Sequence, residues 1–286
     1  MSSKPFILLG KVVPEGKRTV LDLEVAKLHT RTTVKVPVII ERSKKPGPVV
    51  LLLAGIHGDE TNGVGIVREI IEQKINKPTC GTIICIPVFN VFGYLIQTRE
   101  FPDGRDLNRM FPGSSSGSLA SQFAYQFTKE IAPFVDYVID FHTGGGERDN
   151  VVQIRCNKDD EKALELAKVF NPPMIVFSNN ITKSLRDTLH NMGKTILLFE
   201  GGKSKELNPN VINEGVQGTK NVLIRLGLLE GEISVKATPI FVDKAKWLRA
   251  SYSGMFKIMA KNGTFVKKRE VLGVIQDPFG EFKKKI

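Results

Sequence analysis

The chain has 286 residues, 41% hydrophobic and 25% charged, which is globular composition with enough apolar residues for a full core. Its formal net charge is +11, yet the Lys and Arg residues are spread along the chain, with only short clusters at Lys267–Arg269 and Lys283–Lys285, so a solvated surface is favoured over nucleic-acid binding. Cys80, Cys85 and Cys156 are odd in number and form no CxxC pair, which argues against a disulfide framework or a thiolate metal site and leaves three buried small hydrophobes.

Met1–Gly10 is too short for a secretory leader, and no apolar run reaches membrane length, so a cytoplasmic protein with no membrane partner is expected. The stretch 1–45, with Phe6–Leu9, Arg18–Leu23 and Thr33–Ile40, alternates as short strands and predicts an antiparallel lead-in ribbon. After Pro46-Gly47-Pro48, the continuous apolar run Val49–Ala54 predicts a strand buried on both faces. A helix is expected over Asn62–Lys74 from Val64, Val67, Ile70 and Ile71, and a second buried strand over Thr82–Val88.

Phe89–Ser118, rich in Gly, Pro, Asp, Asn and Ser, predicts a long irregular loop of the kind that carries function. Helix Leu119–Ile131, strand Tyr137–Phe141, helix Ala163–Phe170, strand Met174–Phe177, helix Leu185–Met192, strand Thr195–Phe199 and helix Val211–Leu226 follow. This alternation predicts an α/β fold with a mixed, largely parallel sheet flanked by helices. Beyond Leu229-Glu230-Gly231 the texture becomes all-β, with Asn262-Gly263 as a hairpin turn. Residues 1–231 therefore read as one α/β domain and 232–286 as a small β domain, whose last strand-like segment lies so near Ile286 that an incomplete module is an option.

Gly55-Ile56-His57-Gly58-Asp59-Glu60 lies between the end of a buried strand and the start of a helix, where sites form in open α/β sheets. An H-x-x-E spacing alone is common by chance, the bland reading being an exposed His and a helix-start Glu. Asp140-Phe141-His142-Thr143-Gly144 stands at a second strand end, so His57, Glu60 and His142 form a His2Glu ligand set for one zinc ion with an open coordination position. Asp140, two residues before His142, shares its strand face and can accept the distal N–H of that imidazole. His29 and His190 lack such a setting and read as structural or surface residues.

The loop holds Arg99, Arg105, Asn108 and Arg109, suited to gripping a carboxylate and polarising a carbonyl, although such a loop alone is most often just solvated. Glu200, after an apolar strand and before Gly201-Gly202, is placed as a general base; a capping or salt-bridged Glu is the bland reading.

The ordered set GIHGDE, DGRDLNRMFPG, DFHTG and LFEGG resembles the succinylglutamate desuccinylase/aspartoacylase family, a branch of the zinc carboxypeptidase-like fold, over residues 48 to 230. The resemblance implies zinc on His57, Glu60 and His142 and a base at Glu200. It also implies a substrate carboxylate on Asn108 and Arg109, and a carbonyl-polarising Arg99 for which Arg105 competes. The function it implies is hydrolysis of the amide bond of N-acyl amino acids or similar small acylated amines. The alternatives are a carboxypeptidase-type metallopeptidase acting on short peptides and a non-catalytic metal-dependent binding protein, against which Glu200 counts. An oligomer is compatible with the sequence.

Overall fold

In the computed structural model the described residues are 5–146 and 148–286. The first four residues, part of the stretch read for a leader, lie outside them. The chain divides into a large unit ending at Val242 and a small one, Asp243–Ile286.

The large unit opens with a short hairpin, β1 (Ile7–Leu8) and β2 (Lys11–Val12), then the antiparallel ribbon β3 (Lys17–Lys27) and β4 (Thr33–Arg42). Next come β5 (Val49–Ala54), α1 (Thr61–Glu72), β6 (Thr82–Ile86), α2 (Val91–Ile96), α3 (Leu119–Glu130), β7 (Tyr137–Gly144) and β8 (Asn150–Cys156). The unit ends with α4 (Glu161–Phe170), β9 (Met174–Phe177), α5 (Leu185–Asn191), β10 (Thr195–Lys203), α6 (Pro209–Arg225) and β11 (Ile240–Val242).

Nine of these strands form one sheet in the order β11-β9-β8-β10-β7-β5-β6-β4-β3. Neighbours β10–β7, β7–β5, β5–β6, β8–β9 and β9–β11 are parallel, while β10–β8, β6–β4 and β4–β3 are antiparallel. This is the expected mixed, largely parallel sheet. The lead-in ribbon joins it through β4.

The continuous apolar strands follow from burial on both faces. Leu51 and Leu53 of β5 enter one core with Phe123 and Phe127 of α3, whereas Val50, Leu52 and Ala54 enter the other with α1, α4 and α6. Chain order diverges at β5: its direct successor β6 lies on one side and β7 on the other. The crevice between β5 and β7 is thus the switch point at which open α/β sheets bind ligands.

Several details of the large unit differ from the sequence reading. Asn150–Cys156 is a strand, inserted antiparallel to β10. Val91–Ile96 makes a short helix inside the expected loop, capped by Asn90 accepting from Gly93 N at 2.9 Å. Cys80 is half-buried and donates to Gly227 O, whereas Cys85 and Cys156 are buried.

The small unit is a three-stranded antiparallel sheet, β12 (Met255–Ile258), β13 (Gly273–Gln276) and β14 (Lys283–Lys285), with Val274 and Ile275 buried. Asn262-Gly263 sits within the long connection between β12 and β13 and closes no tight hairpin, since Ile258 pairs directly with Gly273.

Candidate active site

The C-terminal ends of β5, β7 and β10 lie side by side. Ala54 of β5 pairs with Phe141 of β7, and His142 of β7 pairs with Glu200 of β10. The chain leaves β5 through Gly55 at φ +66°, a left-handed conformation that glycine adopts without penalty. A Cβ on Gly58 would overlap the backbone of Gly93 and Tyr94, so the loop can press against α2 only with glycine there. The start of α1 is fastened to the end of β10 by Asn62, which donates to Lys203 O at 3.1 Å and accepts from Asn208 N at 2.8 Å.

Glu60 occupies the cap position of α1, but its carboxylate makes no capping bond. Instead Oε1 lies 2.7 Å from His57 Nδ1, and Oε2 lies 3.0 Å from His142 Nδ1. Thr143 N also donates to Oε2, at 3.0 Å. All three side chains are buried, and their candidate ligand atoms fall within 4.8 Å of one another.

The distal nitrogens are held too. His57 Nε2 lies 3.0 Å from Asp106 Oδ1, and His142 Nε2 lies 2.9 Å from Asp140 Oδ2. Carboxylates only accept, so each Nε2 carries the donated proton. A neutral ring then turns its Nδ1 lone pair toward a Glu60 oxygen, acceptor against acceptor. A second proton on each ring, or a divalent cation between the rings and Glu60, resolves that conflict, and at His57 the Arg99 Nη1 donor 3.1 Å from Nδ1 also eases it. Burial works against charge on both imidazoles, yet the carboxylates outweigh it: Glu60 and Asp106 raise His57, and Asp140 and Glu60 raise His142 well above the ordinary range. Glu60 is drawn far down by the two histidines against the effect of its burial. Two imidazoles and a carboxylate, each ring braced by a further carboxylate, fit a borderline divalent metal.

The long loop reaches this centre because aromatic residues pin it to the core. Phe89 and Phe101 pack on Phe123 with ring centroids 4.6 and 5.6 Å away, and Phe111 meets Phe127 edge-on at 6.0 Å. Arg99 then lies 3.3 Å from Glu60 Oε1 and donates from Nη2 and Nε to Asp106 Oδ2 at 2.8 and 3.2 Å. Arg105, its competitor, is exposed and pairs with Asp103 at 3.6 Å, away from the cluster.

Asn108 is buried, and its Oδ1 accepts from Leu185 N at 2.8 Å, which ties the loop to α5. Its amide donates to no protein group among the described residues. Arg109 donates to Asn108 O at 2.7 Å and pairs with no carboxylate among the described residues. These donors are therefore available to a ligand. His29 is exposed, and His190 pairs at the surface with Asp160 at 3.4 Å.

Glu200 stands inside β10, which runs on to Lys203, so it is not a helix cap. Its Oε2 accepts from Asn150 Nδ2 at 2.8 Å, and Arg155 Nη1 approaches Oε1 at 3.8 Å. Burial pushes its carboxyl up, opposed by the charges of His142 and Arg155.

Sequence reasoning did not assign roles to Asp106, Asn150 or Arg155. Asp106 had a signal, since it stands two residues before Asn108 in the polar loop. The other two had none, because their strand was not recognised.

A family model described as the Succinylglutamate desuccinylase/Aspartoacylase catalytic domain matches residues 46–226. The N-alpha-acetyl-L-2,4-diaminobutyric acid deacetylase of Halomonas elongata is 28% identical over 256 residues, 85% of this chain and 75% of that protein. Among solved structures, a succinylglutamate desuccinylase from Silicibacter sp. TM1040 matches with a TM-score of 0.84 at 24% identity, over 100% of this chain and 91% of that one. The product-bound ectoine utilization protein EutE of Ruegeria pomeroyi matches with a TM-score of 0.84 at 25% identity, over 99% and 90%.

Proposed function

Because the chain belongs to the succinylglutamate desuccinylase/aspartoacylase family, we propose that it is a zinc-dependent deacylase that hydrolyses the amide bond of an N-acyl amino acid or similar small acylated amine. One observation carries the reading: two buried imidazoles face the two oxygens of Glu60, with Glu200 beside one of them in register. The deacetylase relative supports a deacylase over a peptidase.

His57, Glu60 and His142 hold the zinc in this reading, and Asp106 and Asp140 orient the two rings. Bound zinc supplies Lewis acidity that lowers the pKa of water to about 7 and polarises a carbonyl. Asn108 and Arg109 receive the substrate carboxylate with donors that the protein leaves unused. Arg99, fixed by Asp106, directs its guanidinium to the oxygen on which negative charge develops. Glu200 takes a proton from the attacking water and delivers it to the departing nitrogen, so that a carboxylic acid and a free amine leave. Its buried setting favours this proton traffic, because a base with a raised pKa accepts a proton more readily.

The test is a hydrolysis screen of the zinc-loaded protein over N-acetyl and N-succinyl amino acids, N-acetyl-L-2,4-diaminobutyrate included, beside short peptides. Release of free amine from one or more N-acyl amino acids is expected. Turnover confined to peptides would overturn the deacylase reading.

A further inference from the structure

Glu200 is an acid–base group with several rotatable bonds, and a base is effective only when aimed at its proton. Among the described residues, one hydrogen bond to its carboxylate is present: Asn150 Nδ2 to Oε2, at 2.8 Å. Arg155 stands off at 3.8 Å, beyond hydrogen-bond range, with its side chain 38% exposed. The carboxylate only accepts, so the Asn150 amide must present its NH2 group here.

The contact depends on an irregularity of the sheet. Along the antiparallel β10–β8 ladder, Leu198 pairs with Arg155, Phe199 with Ile154 and Glu200 with Gln153. A regular ladder would set Val151 opposite Gly202. Instead Gly202 pairs with Asn150, so β8 carries one more residue than β10 in this interval. The shift sets Asn150, rather than Val151, opposite Gly202 and within hydrogen-bond reach of Glu200.

We propose that Asn150 is a positioning residue for Glu200, brought beside it by the register shift between β8 and β10, which fixes the carboxylate in direction without itself supplying a cation to neutralise it. This rests on the reading of Glu200 as the base. A neutral donor suits that role: its hydrogen bond favours the ionised carboxylate less than a lysine at the same distance would, so the base keeps more of its affinity for a proton.

The experiment is steady-state kinetics of the zinc-loaded full chain on the best substrate of the hydrolysis screen, for Asn150→Ala, Asn150→Asp, Glu200→Gln and the Asn150→Ala/Glu200→Gln double variant. Asn150→Ala is expected to lower kcat by about 10- to 100-fold, the usual weight of a hydrogen bond to a charged group, with KM, zinc content and melting temperature unchanged. Asn150→Asp is expected to lower it further by placing one carboxylate against another. The double variant is expected to be no slower than Glu200→Gln alone, because the two act as one unit.

A near-normal kcat for Asn150→Ala, or an Asn150→Ala loss that multiplies onto the Glu200→Gln loss, overturns the proposal while the base assignment stands. Near-normal turnover of Glu200→Gln overturns the base assignment and the proposal with it. Should Asn150→Ala fail to fold, the isosteric Asn150→Asp decides, since turnover at the wild-type rate contradicts the proposal.

Discussion

Asp106 joins two parts of the site, and its isosteric replacement by Asn separates them. One oxygen accepts from His57 Nε2 at 3.0 Å, and the other accepts from Arg99 at 2.8 and 3.2 Å. Burial alone would raise its carboxyl, yet His57 and Arg99 pull it well below the usual range, so both contacts involve the ionised form. An asparagine offers a single acceptor. Whichever way its amide turns, either His57 or Arg99 meets an N–H with its own N–H. Replacing a carboxylate that braces a metal-bound histidine usually weakens metal binding about 10- to 100-fold. That is about 1.4 to 2.8 kcal/mol. Chelator competition measures the zinc affinity directly. The Lys35–Asp22 pair, 3.1 Å long and exposed on both sides, is the control: Asp22→Asn should cost under about 1 kcal/mol of stability and leave zinc affinity unchanged. Asp106→Asn with wild-type zinc affinity would refute the reasoning that Asp106 orients a ligand ring.

Further predictions rest on the base, the loop and the metal. Glu200→Gln should keep zinc and lose about 10²- to 10⁴-fold in kcat, measured on metal-analysed protein. Because burial raises the Glu200 carboxyl and the base works ionised, kcat/KM should fall as pH drops through a midpoint above the ordinary glutamate value of about 4.3. An acid limb below that value in a pH–rate profile would contradict the buried base. Phe123→Ala, which removes the ring under both Phe89 and Phe101, should cost about 3–5 kcal/mol in chemical denaturation. Chelation of the metal should lower the melting temperature, and restored zinc should recover it, because an ion that binds only the folded chain stabilises it by mass action.

The central strands were legible because β5, β6, β7 and β10 are buried on both faces, which writes an uninterrupted apolar run into each. Their ends then marked the loops that carry His57, His142 and Glu200. β8 escaped notice for the opposite reason. Asn150, Gln153 and Arg155 interrupt its apolar residues, and its place beside β10 comes from tertiary pairing. The residue that Asn150 meets depends on a register shift between β8 and β10, which no local pattern announces. β11 is similar: Ile240–Val242 becomes an edge strand only because β9 is there to pair with it. The polar loop announced Arg99, Asn108 and Arg109 as candidates, but the choice between Arg99 and Arg105 needed the aromatic packing that brings Arg99 to Glu60. In the small unit, Asn262-Gly263 has hairpin chemistry without hairpin strands on either side of it.

The central claim is that His57, Glu60 and His142 share one metal ion. Elemental analysis of purified protein, dialysed against trace zinc, tests it most directly. The expected result is about one zinc per chain for the wild type and none retained by the His57→Ala/His142→Ala variant, since a lone carboxylate does not make a zinc site. Stoichiometric zinc and full hydrolysis in that variant would contradict it.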